Sequence, residues 1–67
     1  MIAVTINGEP RELEAVVSVG QLLERLGLAG RKIALECNGE IVPRSRFWEQ
    51  ALADGDRIEI VVAVGGG

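Results

Sequence analysis

The chain has 67 residues, enough for one small domain with a thin core, because a chain of this size buries only about 60% of its unfolded surface. Seven Lys plus Arg against ten Asp plus Glu leave a net charge of −3 without a basic cluster, which argues against nucleic acid or an anionic membrane as partner. With no His, no Tyr and one Cys, the sequence offers no imidazole base or metal ligand, no cysteine metal cluster and no internal disulfide.

Ile2, Val4 and Ile6 alternate with Ala3 and Thr5, the period of a strand over residues 1–6. Asn7-Gly8 follows at once, a strong hairpin signal because both residue types tolerate positive φ. Residues 9–15 are the expected return strand, with Leu13 inward; Pro10 cannot donate to a ladder, so this strand belongs at an edge. Ser18 opens a helix. Its spacing to Gln21 is that of a capping box, and Val19, Leu22, Leu23 and Leu26 form one apolar stripe. Gly27 or Gly30 can supply the left-handed residue that ends it.

Ile33, Leu35 and Cys37 alternate with Ala34, Glu36 and Asn38 in a third strand, and Asn38-Gly39 turns the chain into a very short fourth strand before Pro43. Within residues 45–52 the pairs Phe47 with Ala51 and Trp48 with Leu52 suggest one or two helical turns pinned by the aromatics. Asp54-Gly55-Asp56 is a turn. Residues 57–64 form the most apolar strand, with Ile58, Ile60, Val62 and Val64 on one face, as a central strand with a parallel neighbour requires. The expected core is Ile2, Val4, Ile6, Leu13, Leu22, Leu23, Leu26, Ile33, Leu35, Ile58, Ile60 and Val62.

One long helix covers one face of a sheet, so the class is α+β. A mixed sheet of four to five strands, with the last strand beside the first and the helix across it, is a β-grasp. The expected organisation is a β-grasp domain over residues 1–64 and a flexible glycine tail over residues 65–67.

Few side chains invite chemistry. The stretch from Met1 to Gly8 has no basic region before an apolar one, so no leader is expected, and no apolar run reaches the roughly 20 residues of a membrane span. Cys37 shares the inward face of its strand and has no His to activate it. Asp54, Asp56 and Glu59 lack the twelve-residue pattern of a calcium loop, so no metal site is expected. Gly27 and Gly30 follow a helix instead of opening one, and make no phosphate loop.

The terminal Gly65, Gly66 and Gly67 pack nothing. Three residues without Cβ are either a frayed chain end or an added scar, or a tail that enters a narrow channel in another protein and presents the Gly67 α-carboxylate there; the second reading gives them a function. Ala3, Ala34, Val61 and Ala63 point away from the core and make a candidate docking patch for that partner.

The run from Ala34 to Arg44 (Ala-Leu-Glu-Cys-Asn-Gly-Glu-Ile-Val-Pro-Arg), then Trp48, then the run from Leu52 to Val61 and the final Gly66-Gly67, resembles the thiamine-biosynthesis sulfur carriers of the ThiS family over the full length. That family is ubiquitin-like. Gly65, a third glycine before the usual pair, is a small departure. The resemblance implies a cytoplasmic carrier with no catalytic residue and no cofactor of its own. An E1-like adenylyltransferase of the ThiF type, using ATP and magnesium, would activate the Gly67 carboxylate. Sulfur drawn from cysteine by a desulfurase would convert it to a thiocarboxylate, and a thiazole synthase of the ThiG type would accept that sulfur. The alternatives are the small subunit of molybdopterin synthase, also a β-grasp carrier ending in Gly-Gly, and a ubiquitin-like modifier or interaction domain.

Overall fold

The computed structural model describes residues 1–63. Its elements in chain order are β1 (Ile2–Ile6), β2 (Glu9–Leu13), α1 (Val19–Arg25), β3 (Ile33–Cys37), β4 (Glu40–Val42), a 3₁₀ turn (Arg44–Arg46) and β5 (Arg57–Val62). The five strands form one sheet in the order β2-β1-β5-β3-β4. β5 runs parallel to β1 and antiparallel to β3, so the last strand sits in the middle of a β-grasp. β2 is an edge strand and tolerates Pro10 opposite Thr5.

The capping box forms as spaced. Ser18 Oγ accepts from the Gln21 amide at 3.1 Å, and Gln21 Oε1 accepts from the Ser18 amide at 2.9 Å. Val19, Leu22 and Leu23 are buried on the sheet, and Leu26 is half-buried. Gly27, at φ +73°, takes the left-handed position just past the helix, where its amide donates to the Glu24 carbonyl.

Two local expectations are corrected. The second strand stops at Leu13 instead of running to Ala15, because Leu13 already pairs with Ile2 and β1 has no further residue to pair. The expected one or two helical turns form over residues 44–50: the 3₁₀ turn is followed by bonds from the Glu49 and Gln50 amides back to the Arg46 carbonyl, and Ala51 then bridges to Ser18. After the 3₁₀ turn the chain lies alongside the start of α1: the Val19 amide donates to the Gln50 carbonyl, Leu52 to Val17, and Gly20 to Phe47. The first and third of these bonds satisfy helix-start donors that would otherwise have no partner. The core differs too. Leu26, Ile33 and Val62 are only half-buried, while Val17, Val19, Cys37, Val42, Phe47 and Leu52 join it. Trp48, expected to pin a helix with Leu52, is 61% exposed, whereas Leu52 is buried. Val64 and the tail residues Gly65, Gly66 and Gly67 lie outside the described residues, as does the boundary between domain and tail.

Candidate functional site: the central strand and its tail

β5 is the last strand before the tail, held by β3 along its whole described length and by β1 with its following turn as far as Ile60. On one side it pairs with β3 from Cys37↔Ile58 to Ile33↔Val62, and the Ala63 amide donates to the Lys32 carbonyl at 2.9 Å. On the other side β1 runs out at Ile6, opposite Ile58. There Asn7 takes over. Its backbone amide donates to the Ile58 carbonyl at 2.9 Å, its Nδ2 donates to the Ile60 carbonyl at 3.1 Å, and its Oδ1 accepts from the Ile60 amide at 2.7 Å. A side-chain amide thus imitates one more strand residue and continues the pairing two residues further along β5.

Asn38, in the second Asn-Gly turn, does the same at the start of β5. Its Oδ1 accepts from the Arg57 amide at 2.9 Å, and its Nδ2 donates to Asp56 Oδ1 at 3.0 Å. Both asparagines hold left-handed φ, near 51° and 54°. Sequence reasoning saw them only as turn formers. The signal for more is that Asn, unlike Asp, can both donate and accept across a peptide group.

The exposed sheet face carries the candidate patch in two pieces. Ala34 and Val61 are cross-strand partners, with Val61 66% exposed, and Ala63 lies one step on beside Lys32. Ala3 is elsewhere. The β1–β5 register aligns Thr5 with Arg57, and the Ala3 carbonyl accepts from Gly55, so Ala3 lies six residues along the strand from the level of Val61, about 20 Å away. Alternation puts a residue on a face but says nothing of its height on the sheet. Ile41, 77% exposed on β4 and absent from the sequence reading, joins the upper piece, with Glu36 between it and Glu59.

The remaining sequence candidates are occupied by structural work. Asp54 Oδ1 accepts from the Ala3 amide at 2.7 Å, and Asp56 Oδ2 accepts from the Ala53 amide at 2.8 Å, so both carboxylates organise the turn before β5. Cys37 is buried, and that burial pushes its thiol up; the charge of Asp56, a hydrogen bond with it, and Glu40 push the same way. A thiol held protonated is a poor nucleophile.

Comparison with known proteins decides the family. The sequence model of the ThiS family matches residues 4–67. The chain belongs to the ThiS family. It is 34% identical over 64 residues to the sulfur carrier protein ThiS of Thermus thermophilus, covering 96% of this chain and 98% of that one. The crystal structure of the thiamine biosynthesis protein ThiS from Geobacter metallireducens superposes with a TM-score of 0.83 at 32% identity, over 98% of this chain and all of that one. The chain is also 50% identical over 62 residues to the thiazole synthase of Paramagnetospirillum magneticum, covering 92% of this chain but only 19% of that protein. A ThiS-like sequence therefore forms part of a longer thiazole synthase in that organism. Among the described residues no helix is long and apolar enough to cross a membrane.

Proposed function

We propose that this chain is a sulfur carrier for thiazole formation in thiamine biosynthesis, with the sulfur held as a thiocarboxylate on Gly67. The reading is supported above all by relatives of matching length that are themselves named sulfur carriers. The chemistry follows from the terminus. A C-terminal carboxylate has a pKa near about 3.5, is ionised at neutral pH, and resists nucleophiles. An adenylyltransferase transfers AMP from ATP to that carboxylate, releasing pyrophosphate and leaving a mixed anhydride. The terminal sulfur of a persulfide formed by a cysteine desulfurase attacks the acyl carbon, the C–O bond to AMP breaks and AMP leaves. A thiol reductant then cleaves the S–S bond of the resulting acyl disulfide, is itself oxidised to a disulfide, and leaves the thiocarboxylate. The thiocarboxylate is then a soft nucleophile for a thiazole synthase, the class of protein in which a homologous sequence is embedded.

The fold's part is positional. Ala63 is fixed to Lys32, and four further residues in extended chain span about 13–14 Å, enough to enter a channel while the domain stays outside. Ala34, Val61 and Ala63 flank the base of that tail and form the docking patch for the adenylyltransferase; Ala3, at the other end of the sheet, is left out of it. No side chain of the carrier reacts, so it acts as co-substrate and not as enzyme.

With ATP, the cognate adenylyltransferase, a desulfurase with cysteine and a thiol reductant, the C-terminal peptide should gain the mass of one sulfur-for-oxygen exchange. Deleting Gly67 should abolish the gain, because it withdraws the reacting carbon by about 3.3–3.6 Å, and misplacement of about 1 Å can already cost about a hundredfold in rate. Sulfur appearing on Cys37, or no mass gain at all, refutes the proposal. Sulfur stable on the terminus but refused by thiazole synthase and accepted by molybdopterin synthase would move the chain to the other pathway.

A further inference from the structure

On the opposite side from the exposed sheet face, a groove of about 350 Å³ runs between the end of α1 and the loop after β4. Leu23, Leu28, Phe47 and Trp48 give it an apolar floor, and Arg31 and Arg44 supply all of its charge. A purely cationic lining stands out in a chain whose net charge is −3. The floor is set by backbone bonds: the Leu28 amide donates to the Leu23 carbonyl at 2.8 Å, and Gly20 to Phe47 at 2.8 Å. Trp48 lies flat on Gly20, where an added Cβ would meet its ring at 2.5 Å, and the residue is still 61% exposed. Arg44 Nη2 donates to the Arg31 carbonyl at 3.0 Å, which ties the loop to the lead-in of β3 and sets the two arginines on one rim. Among the described residues neither guanidinium is hydrogen-bonded to a carboxylate. One residue beyond the rim, the Lys32 carbonyl holds the Ala63 amide, so a single backbone link joins Arg31 to the last described residue after β5.

We infer that this groove docks an acidic protein segment of the adenylyltransferase, in which an apolar side chain seats on Trp48 and Leu28 and flanking carboxylates meet Arg31 and Arg44. The inference rests on the carrier reading for the partner's identity. Three observations select a protein segment. Small-ligand pockets bury about 70–90% of their occupant, and a molecule stacked on a Trp this exposed would stay wet. Planar guanidiniums pair well with carboxylates. A protein that surrounds the tail base is brought against this rim by the Lys32–Ala63 link.

The test is a calorimetric titration of the full chain with the cognate adenylyltransferase, at about 50 and about 300 mM salt, since surface charge pairs are screened over a Debye length that shrinks in this range. Arg31 is exposed and its hydrogen bonds, from the amide to the Leu28 carbonyl and to the carbonyl from Arg44, involve only its backbone, so Arg31→Glu should leave the melting temperature unchanged. It should raise the Kd about tenfold or more at low salt and by less at high salt, with Arg31→Lys recovering most of the affinity. The Trp48 indole N–H resonance of labelled carrier should shift on binding the wild-type partner. A Kd within about twofold of wild type and an unmoved Trp48 signal overturn the inference. So does a Trp48 shift produced by ATP alone, which would make the groove a nucleotide site, or an effect of Arg31→Glu on thiazole synthase only. Affinity that depends on Arg31 without any sulfur reaching Gly67 supports the docking surface and refutes the carrier reading.

Discussion

Replacing Asn7 with Gly removes the two side-chain bonds to Ile60, of 2.7 and 3.1 Å, and leaves the left-handed turn at φ 51° free of steric cost. At about 0.5–1.5 kcal/mol net per bond, the loss is about 1–3 kcal/mol, a large share of what a small domain has. Each kcal/mol shifts the midpoint of a domain this size by about 4–8 °C, so melting should fall by about 5–20 °C. Asn7→Ala should be worse by about 1–2 kcal/mol, because an ordinary L-residue dislikes that conformation. Thermal and urea unfolding measure the totals, and amide hydrogen exchange locates them. Ile60 should lose protection first and most, while Leu35 and Leu22 lose only what the global change dictates. If the Ile60 amide keeps wild-type protection in Asn7→Gly, the side chain is not extending the sheet and the account of how the tail strand is held is wrong.

Leu22→Ala opens a cavity beneath a helix residue that is 1% exposed and should cost about 2–5 kcal/mol by urea denaturation. Gly20→Ala drives a methyl into Trp48; because that ring can swing outward, stability should fall by only about 1–3 kcal/mol, while Trp48 fluorescence changes markedly. Cys37, held protonated by burial and by Asp56 and Glu40, is neutral in the fold when an unfolded chain's thiol would ionise. The folded state then holds the extra proton, so stability should fall as pH rises past the ordinary thiol range, and Cys37→Ala should flatten that fall in a pH series of unfolding midpoints.

What the sequence displays is whatever neighbours along the chain decide. The Ser18–Gln21 capping box, the two Asn-Gly turns and the apolar density of β5 depend on residues a few positions apart, and each forms as its chemistry requires. What it conceals depends on contacts fixed by the fold. The segment after Pro43 shows its helical turns locally, but not that the Gln50 and Phe47 carbonyls serve donors at the start of α1, some thirty residues earlier. Asn7 shows its turn role locally, whereas its second role needs Ile60, 53 residues away. The docking patch divides because sidedness comes from alternation and height comes from register, and only pairing to β5 reveals that Ala3 belongs with Gly55. The three terminal glycines, where the chemistry is proposed, are legible in the sequence because a run of residues without Cβ stands out by composition alone.

The placement of β5 constrains how the molecule comes into being. β1–β2 and β3–β4 are local hairpins able to form while the chain is still being made, but within the sheet only the last strand joins them, and it must slide between them with Thr5 meeting Arg57 across 52 positions. Closing such a long loop makes folding slow relative to a helical bundle of equal length. Until β5 arrives, the inner edges of β1 and β3 stand unpaired, and each is an invitation to another chain. A nascent chain lacking β5 is therefore the sticky species. Completion of the last strand, the one that leads to the glycines, removes both open edges in one step.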